Sequence, residues 1–368
     1  MMEKRKNKIV LACDSYKGCL SSREVNEALR ANWENRGVEC SAAAEAPEVI
    51  ALEMSDGGDG MLSAFLSAMG GERIQMRAHD ALMRWIDASY GVVEDSHGLL
   101  GGVYGKVAII EIAQTAGLAL IEPEQRNPMT ATSWGVGEMV MHAYRRGIRR
   151  FVVGLGGSAT SDCGIGMLKA MGDDWQTVRR DSTFVLASDV TNPLRGPQGA
   201  AHVFAPQKGA DAAMVDMLDA RADRFAQACA KHFGFDRSQQ PCAGAAGGLG
   251  YAFLQFFDAT FHSGADLLLR AMHFDAIISD ACLVITGEGH SDRQTLMGKL
   301  PQRILEHVLA KKRGGKPQAW IVSGGVSDRE SLLAAGFDRV VNVSPADMPL
   351  AEAMRPEVAR RLLGAIKL

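Results

Sequence analysis

The sequence predicts an α/β protein with two domains, and three observations carry this prediction. Short apolar runs alternate with helical patterns at both chain ends, strands follow each other in quick succession in the middle, and 368 residues exceed the usual size of one core. Strands and helices that alternate at this spacing favour a parallel, doubly wound sheet. We therefore expect a discontinuous domain of residues 1–75 and 281–368 and an inserted mixed α/β domain of residues 76–280.

The first strand and helix are predicted from the N-terminal stretch. Residues 9–13 form a continuous apolar run, as expected of a strand buried on both faces. Ser21 and Glu24 have the spacing of a capping box, with Leu20 and Val25 placed as its hydrophobic staple. This pattern predicts a strand, the loop DSYKGC and a helix.

The C-terminal quarter repeats this order. Strands are expected at 283–286, 320–323 and 339–343. Ser327 and Glu330 predict a second capping box, on a helix that ends near Gly336. Because both chain ends have the same character, we assign them to one sheet.

The middle of the chain has a different pattern. Residues 85–93 alternate between apolar and other side chains, and the apolar run 107–112 follows after glycine-rich breaks. Strands in such quick succession favour an antiparallel or mixed sheet. A helical stripe follows, formed by Val136, Met139, Val140 and Ala143.

Composition excludes several classes of function. The net charge of −3 argues against a nucleic-acid-binding surface, and the chain has neither a signal-peptide pattern nor an apolar run long enough to span a membrane. The seven cysteines form no C-x-x-C pair and no zinc spacing, so we expect reduced thiols in a cytoplasmic protein. A homodimer is a possible assembly, and the oligomeric state stays open.

Glycine is concentrated in loops that also carry acids, hydroxyls or lysine. Five such loops are DSYKG (14–18), SDGGDG (55–60), GLGGSATSDCGIGML (154–168), GAAGGLG (244–250) and GEGHSD (287–292). Glycine lets backbone N–H groups approach a phosphate, and ligands of open α/β sheets bind at the carboxyl ends of the strands. The clustering predicts an anion-binding site.

The 154–168 loop fits the pattern G-x-G-x-x-A of dinucleotide-binding proteins. That fingerprint also needs an acid at the end of a second strand, whereas Asp173 and Asp174 directly follow Gly172, a predicted helix stop. The loop also lacks the Gly-Lys-Ser/Thr of a P-loop. A purely structural glycine turn remains an alternative.

Phosphoryl transfer requires this mixture of residues. Cations and N–H donors hold the phosphates, carboxylates hold Mg²⁺, and one carboxylate orients or deprotonates the acceptor hydroxyl. The candidate cations are Lys17, Lys208 and Lys299, and the candidate carboxylates are Asp56, Asp59, Asp189, Glu288 and Asp292. Asp189 stands out because it comes shortly after the apolar run 184–187.

Structural explanations compete with these roles. Asp14, Asp162 and Asp292 could be helix caps or Asx-turns, and SDGGDG could be a tight turn without the spacing of a calcium loop. Arg126 has the fork that binds a carboxylate but stands in an Arg-Asn-Pro turn. GAAGGLG favours close packing over ligand contact. His290 is the histidine singled out, because it lies inside a glycine-acid loop.

Eight stretches of the chain resemble the ATP-dependent glycerate 2-kinase family, the type 1 glycerate kinases. They are ACDSYKGCLS, MSDGGDG, IIEIAQTAGLALI, RNPMTATSWGVGE, GLGGSATSDCGIGML, ASDVTNPLRGPQGAAHVFAPQKGA, GAAGGLGYAF and LVITGEGHSDRQTLMGK. The resemblance implies a flavodoxin-like domain from both chain ends, an inserted domain, and a cleft between them where ATP and D-glycerate meet. It implies ATP and Mg²⁺ as cofactors and 2-phosphoglycerate as the product.

A mechanistic hypothesis built on these residues assigns the site. Asp189, Lys17 and Lys208 are the catalytic candidates, with Asp189 acting on the glycerate hydroxyl. ATP would contact Asp14, Ser15, Asp56, Gly57, Gly58, Gly156, Gly157, Ser158, Thr160, Gly287, Glu288 and Asp292. Glycerate would contact Arg126, Asn192, Gln207, Thr295 and Lys299, and Asp162 is a candidate metal contact.

The chain departs from the family pattern at Cys13, Glu53, Asp59 and His290, and it is shorter between 172 and 184. Because histidine is short and only partly charged at neutral pH, a phosphate contact at His290 would be weaker than with the usual arginine. Three alternatives stay open: a nicotinamide-dependent oxidoreductase, a non-catalytic sugar-acid-binding protein, and a kinase that yields 3-phosphoglycerate.

Overall fold

The computed structural model describes residues 8–34, 47–96, 98, 105–311 and 315–366. The chain is an α/β protein that divides into two compact units: unit 1, Met1–Asp56 and Leu268–Leu368, and unit 2, Gly57–Leu267. Among the described residues, no helix has both the length and the hydrophobicity needed to cross a membrane.

The described strands are, in chain order, β1 (Lys8–Cys13), β2 (Glu48–Ala51), β3 (Glu72–His79), β4 (Trp85–Asp95), β5 (Gly105–Glu111), β6 (Arg150–Gly154), β7 (Thr183–Ala187), β8 (Thr260–His262), β9 (Leu283–Gly287), β10 (His290–Ser291), β11 (Gln318–Ser323), β12 (Gly325–Val326) and β13 (Arg339–Asn342).

The described α-helices are α1 (Ser22–Glu34), α2 (Met61–Met69), α3 (Ala113–Ala116), α4 (Trp134–Arg145), α5 (Ile165–Met171), α6 (Trp175–Asp181), α7 (Ala200–Phe204), α8 (Ala212–Phe233), α9 (Ala245–Phe257), α10 (Gly264–Ala271), α11 (Phe274–Ile277), α12 (Leu300–Ala310), α13 (Arg329–Ala335), α14 (Leu350–Ala353) and α15 (Pro356–Ala365). Short 3₁₀ turns cover Leu118–Leu120, Pro123–Gln125, Gly172–Asp174, Pro206–Lys208 and Arg293–Leu296.

Unit 1 contains the predicted parallel sheet. Its order is β2-β1-β9-β11-β13 with every pairing parallel, and β10 pairs separately with β12. Counted within the unit, the five strands have the order 2-1-3-4-5, that of flavodoxin-like folds. The prediction of a flavodoxin-like domain from both chain ends is confirmed. The topological switch point lies between β1 and β9, and ligands of such sheets bind at the carboxyl ends there.

Unit 2 contains the predicted mixed sheet. Its order is β3-β4-β5-β6-β7-β8, antiparallel from β3 to β5 and parallel from β5 to β8. Phe151 and Phe184 stack on neighbouring strands with ring centroids 4.7 Å apart, and Phe253 of α9 packs against Phe184. Arg150, at the start of β6, forms a buried ion pair with Asp95 at the end of β4.

The bounds of the units differ from the domain boundaries expected at 75/76 and 280/281. Helix α2 belongs to unit 2 because it packs on the second sheet: a Cβ on Gly91 of β4 would lie 2.7 Å from the Leu62 side chain. Strand β3 pairs with β4 along its whole length. An apolar helix pattern does not reveal which sheet the helix covers. The boundary expected from the sequence therefore lies further along the chain than the observed one.

Of the two predicted capping boxes, the first is confirmed. The Glu24 carboxylate accepts from the Ser21 N–H at 2.8 Å, and the Ser21 hydroxyl accepts from the Glu24 N–H at 3.3 Å. The second is wrong, since Asp328 caps α13 by accepting from the Ser331 N–H at 3.1 Å. Ser327 instead contacts His290, with Oγ 2.7 Å from the ring Nε2.

Candidate functional site

A cavity of about 540 Å³ opens in unit 1 at the carboxyl ends of β1, β9 and β11. Sequence reasoning predicted six of its lining residues, namely Asp14, Ser15, Lys17, Asp56, Glu288 and Lys299. It singled out His290 and did not predict Tyr16, Cys19, Gly289, Gly324, Gly325, Ser344, Met348, Leu350, Ala353 and Met354. Two predicted loops, DSYKG and GEGHSD, therefore meet where the topology of the sheet places a ligand.

Ion pairs organise the polar lining of this cavity. Lys17 Nζ lies 3.4 Å from the Asp56 carboxylate, and Lys299 Nζ lies 3.2 Å from that of Glu288. Glu288 also accepts from the Thr295 hydroxyl at 2.6 Å. Asp14 adds a third carboxylate to those of Asp56 and Glu288, so the carboxylates in the described lining outnumber the two lysines. These groups favour a cation or neutral hydroxyl donors over a bare anion.

Asp14 is the most strongly perturbed acid of the cavity. Burial, and after it the negative charge of Asp56, raise the pKa of Asp14 to about 7. The Ser15 N–H, which donates to the Asp14 carboxylate at 2.7 Å, and the charge of Lys17 act in the opposite direction. A positive charge bound here would stabilise the ionised form.

We expect the melting temperature of Asp14→Asn to rise relative to that of the wild type as pH increases from about 4 to about 7 in buffer without divalent cations. The folded protein holds the Asp14 proton more tightly than the unfolded chain, whose carboxyl has the ordinary value of 3.8. The stabilising contribution of this proton is complete below pH 3.8 and is lost as pH rises through about 7. Asparagine cannot ionise and avoids the loss.

The measurement is the melting temperature of both proteins at several pH values. Asp347→Asn, at an exposed position of unit 1, is the control and should show a constant difference from wild type. A difference for Asp14→Asn that does not change with pH would contradict the expected titration.

The remaining predicted residues of the 287–299 segment have structural contacts. Asp292 caps the turn Arg293–Leu296 by accepting from the Gln294 N–H at 2.7 Å, and its own N–H donates to Thr295 at 3.0 Å. A Cβ on Gly287 would lie 1.7 Å from the Val322 carbonyl oxygen, so glycine is required for packing β9 against β11. The cap alternative for Asp292 is therefore confirmed, and its predicted contact with ATP stays a prediction.

In unit 2, two glycine-containing segments meet near the carboxyl ends of β6 and β7. A Cβ on Gly156 would lie 2.3 Å from Gly58 Cα, and one on Gly57 would lie 2.9 Å from the Ala187 carbonyl oxygen. Gly157 packs against Asp59, since a Cβ on Gly157 would lie 2.7 Å from the Asp59 carboxylate. The glycines allow these backbones to touch, and Asp189 follows β7 at the same edge.

Two cations hold consecutive carbonyl groups of the 154–164 segment. Lys208 Nζ donates to the Thr160 carbonyl at 2.7 Å, and Arg221 donates to the Ser161 carbonyl at 2.6 Å. Because a trans peptide points its N–H away from its C=O, the N–H groups of Ser161 and Asp162 face away from these cations. Neither N–H forms a hydrogen bond within the described part of the chain. Such paired donors suit an anionic ligand.

Lys208 is only 2% exposed. Burial lowers the pKa of Lys208 to about 7, and the negative charge of Asp162 opposes this shift. Its Nζ also lies 3.5 Å from the Ser158 hydroxyl. The amine therefore shapes the loop that contains two predicted ligand contacts, Ser158 and Thr160.

Asp162, the candidate metal contact, uses its carboxylate to organise the same loop. It accepts from the Ser133 N–H and hydroxyl, both at 2.9 Å, from the Gly166 N–H at 3.0 Å and from the Gly164 N–H at 3.1 Å. These hydrogen bonds give Asp162 a structural role, and its contact with a metal ion stays a prediction. Within the described residues, no cluster of three or more acids, histidines or cysteines could hold one.

The structure places the other predicted residues in unit 2 as follows. Asp189 is exposed. Burial is the main cause that raises the pKa of Cys242 to about 12, and the negative charge of Asp189 contributes to this shift. The side chain of Asn192 donates to the Gln198 carbonyl at 2.9 Å. Gln207 is exposed on the turn that carries Lys208.

Arg126 lies beside that turn, since a Cβ on Gly209 would be 2.6 Å from the Arg126 carbonyl oxygen. Its Nε donates to the Ile121 carbonyl at 3.2 Å. The terminal guanidinium nitrogens make no hydrogen bond to described residues, so they are available to a carboxylate.

Sequence reasoning missed two anchoring residues. Glu111, which ends β5 and is buried, accepts from the Gly60 N–H at 2.9 Å and fixes SDGGDG at the start of α2. Burial raises the pKa of this carboxyl. Glu111 could have been predicted from the sequence, because an acid at the end of an apolar strand is a recognisable pattern. Arg221 lies within the long helix α8, and no local pattern distinguishes it from a surface arginine.

GAAGGLG shows the expected close packing. Ala246, Gly247 and Gly248 have consecutive positive φ values within α9, and a Cβ on Gly247 would lie 1.9 Å from the Thr160 carbonyl oxygen. The segment supports the 154–164 loop from behind, and its packing role is confirmed.

Each unit contains groups of the kind that a phosphotransferase uses: unit 2 has loop amides without a hydrogen-bond partner among the described residues, and unit 1 has carboxylates and lysines at the ends of parallel strands. Comparisons with known proteins identify the family. The model of the Glycerate kinase family matches residues 9–179 and 173–366. The chain belongs to the glycerate kinase family.

Individual relatives match over almost the whole chain. It is 32% identical to the glycerate kinase of Bacillus subtilis (strain 168), covering 98% of both chains. It is 34% identical to the glycerate 2-kinase of Escherichia coli (strain K12), covering 95% of this chain and 93% of that one. A solved structure described as a candidate glycerate kinase 2 from Salmonella typhimurium LT2 superposes with a TM-score of 0.72 at 31% identity, covering 97% of both chains.

Membership of this family makes the chain an enzyme of the kinase type, with ATP as the implied phosphoryl donor. The comparisons give no support to an oxidoreductase or to a non-catalytic binding protein.

Proposed function

We propose that this enzyme transfers the γ-phosphoryl group of ATP to the 2-hydroxyl of D-glycerate and yields 2-phosphoglycerate and ADP. The observation that carries the proposal is the near-full-length similarity to the Escherichia coli protein named glycerate 2-kinase. The absence of disulfides among the described cysteines supports a reducing, cytoplasmic location.

The glycerate hydroxyl oxygen attacks the γ-phosphorus, and the bond from that phosphorus to the bridging oxygen of ADP breaks. The hydroxyl proton passes to a carboxylate, and we assign this role to Asp189. It is exposed at the carboxyl end of β7, beside the edge where the glycine segments meet. An exposed carboxylate is suited to accept the proton as the new bond forms.

The positive charges have two different tasks in this proposal. Lys17 is exposed and can reach a phosphoryl oxygen, whereas buried Lys208 fixes the Thr160 carbonyl and thereby aims the N–H groups of the loop. The loop amides, with Ser158, would then stabilise charge on the transferring group. The roles of Asn192, Gln207, Thr295 and Lys299 in binding glycerate stay predictions.

Mg²⁺ fits the carboxylates of the unit 1 cavity. Asp14 and Asp56 line the same cavity, and the charge of Asp56 raises the pKa of Asp14, so a divalent cation would relieve their repulsion. Mg²⁺ is commonly held by one or two carboxylates together with substrate phosphates. When bound, it would neutralise charge on the phosphates.

We expect Arg126→Met to raise the KM for glycerate about tenfold or more, because the variant loses a charge-assisted contact with the substrate carboxylate. The KM for ATP should stay within a factor of about two of the wild-type value. Steady-state kinetics with each substrate varied in turn measure both. Arg224→Met, at an exposed position of α8, is the matched control. Equal increases in both KM values would contradict this role.

A coupled assay with ATP, Mg²⁺ and D-glycerate tests the function, and NMR of the product locates the new phosphate ester. Formation of 2-phosphoglycerate is the expected result. Formation of 3-phosphoglycerate would overturn the regiochemistry alone, whereas no ATP-dependent product would overturn the proposed activity.

A further inference from the structure

The lining of the unit 1 cavity includes two chemically different groups of side chains. The carboxylates and lysines described above form one group. The other group is apolar and consists of Met348, Leu350 and Met354, which lie on and around the short helix α14 after β13. No catalytic role proposed above involves these three side chains.

Two of these apolar side chains are unusually exposed. Leu350 is 74% exposed and Met354 is 40% exposed, although both line a cavity. Covering apolar surface of this kind stabilises a complex, because it removes that surface from water. Binding to the carboxylates and lysines alone would not require such neighbours, so the apolar side chains in the lining indicate a ligand with an apolar part.

The size of the cavity narrows the class of ligand. A volume of about 540 Å³ lies within the range of pockets for ligands of drug size, whereas the three-carbon acid glycerate would fill only a small part of it. A suitable ligand carries an apolar, planar group at one end and a cation-binding polar group at the other. A nucleotide has this build, and mononucleotides bind flavodoxin-like sheets at the switch point where this cavity lies.

We propose that Met348, Leu350 and Met354 form the nucleobase subsite for the ATP used by this enzyme. The flat face of the base packs on these side chains, and the phosphates extend toward Asp14, Asp56 and Lys17. Methionine suits this purpose because its flexible, polarisable thioether makes favourable contacts with aromatic rings. The proposal rests on the kinase function given above and adds the part of the chain that recognises the base.

The test measures binding of adenosine and ADP separately by calorimetry, with Leu350→Gln, Met354→Gln and the double variant. Glutamine removes apolar contact without adding charge, and adenosine reports on the base without phosphates. Leu333→Gln is the matched control, since Leu333 is an exposed leucine on α13 of the same unit and does not line the cavity. The KM for glycerate is measured in parallel.

We expect the double variant to weaken binding of both adenosine and ADP about tenfold, with the KM for glycerate within a factor of about two of wild type and the control unchanged. Wild-type affinity for both ligands in the double variant would overturn the subsite. So would a wild-type protein that binds no ADP, or a loss confined to glycerate.

These results separate the subsite from the activity. A wild-type protein that forms phosphoglycerate while the double variant retains full ADP affinity refutes the subsite and leaves the kinase function intact. A wild-type protein that forms no product but loses ADP affinity on substitution refutes the kinase function and supports the subsite.

Discussion

Asp189→Asn is expected to lower kcat by about 10²- to 10⁴-fold, the contribution typical of a positioned general base. Asparagine nearly preserves the size of the side chain and its capacity to accept a hydrogen bond, but it cannot take the proton of the glycerate hydroxyl. Binding of ATP should be retained, because the substitution leaves the loop amides and the cavity of unit 1 unchanged. Steady-state kinetics and calorimetry with ADP measure the two effects separately.

Asp216→Asn is the control for this variant, since Asp216 is an exposed aspartate on α8 of the same unit. It should have wild-type turnover. Near-normal turnover of Asp189→Asn would remove Asp189 from the catalytic role. Loss of ADP binding together with turnover would point to a disturbed fold.

Asp95→Ala is expected to destabilise the protein by about 3–5 kcal/mol, the usual cost of removing one partner from a buried ion pair. The Asp95 side chain is fully buried and that of Arg150 is 11% exposed. Removing the carboxylate leaves a buried guanidinium without its counter-charge between β4 and β6. Unfolding in urea, followed by circular dichroism, should show a lower midpoint.

Glu94→Ala is the matched control, because Glu94 is the exposed neighbour of Asp95 on the same strand. Its midpoint should stay close to that of the wild type. A similar midpoint for both variants would mean that the ion pair contributes little to the stability of unit 2.

Local sequence patterns predicted the elements of both sheets. The apolar runs ended at glycines and acids close to the observed ends of β1, β7 and β9, because a strand buried on both faces excludes polar residues along its length. The capping box of Ser21 and Glu24 was also readable, since its hydrogen bonds join residues three positions apart. The second box failed because Asp328, one residue after Ser327, provides a carboxylate cap instead.

The candidate site was predictable in its chemistry and less so in its arrangement. Five predicted residues of the unit 1 cavity lie in glycine-rich loops, and the sixth, Lys299, was predicted as a candidate cation. The apolar side chains of the lining were not predicted, because Met348 and Leu350 follow β13 without a motif and reach the cavity only through the order of the strands. Arg221 was missed for a similar reason, since its partner Ser161 is 60 residues away in the chain.

The sequence by itself determined the fold class, the flavodoxin-like domain from both chain ends, the loops that carry the chemistry and the glycerate kinase family. These follow from interactions between near neighbours and from motifs of contiguous residues. Only the tertiary structure decided that Lys208 is buried against the Thr160 carbonyl, that the Asp162 carboxylate accepts from the Ser133 N–H, and that apolar side chains line the same unit 1 cavity as the carboxylates. Burial and hydrogen bonding between distant residues depend on the path of the whole chain, which no short stretch contains.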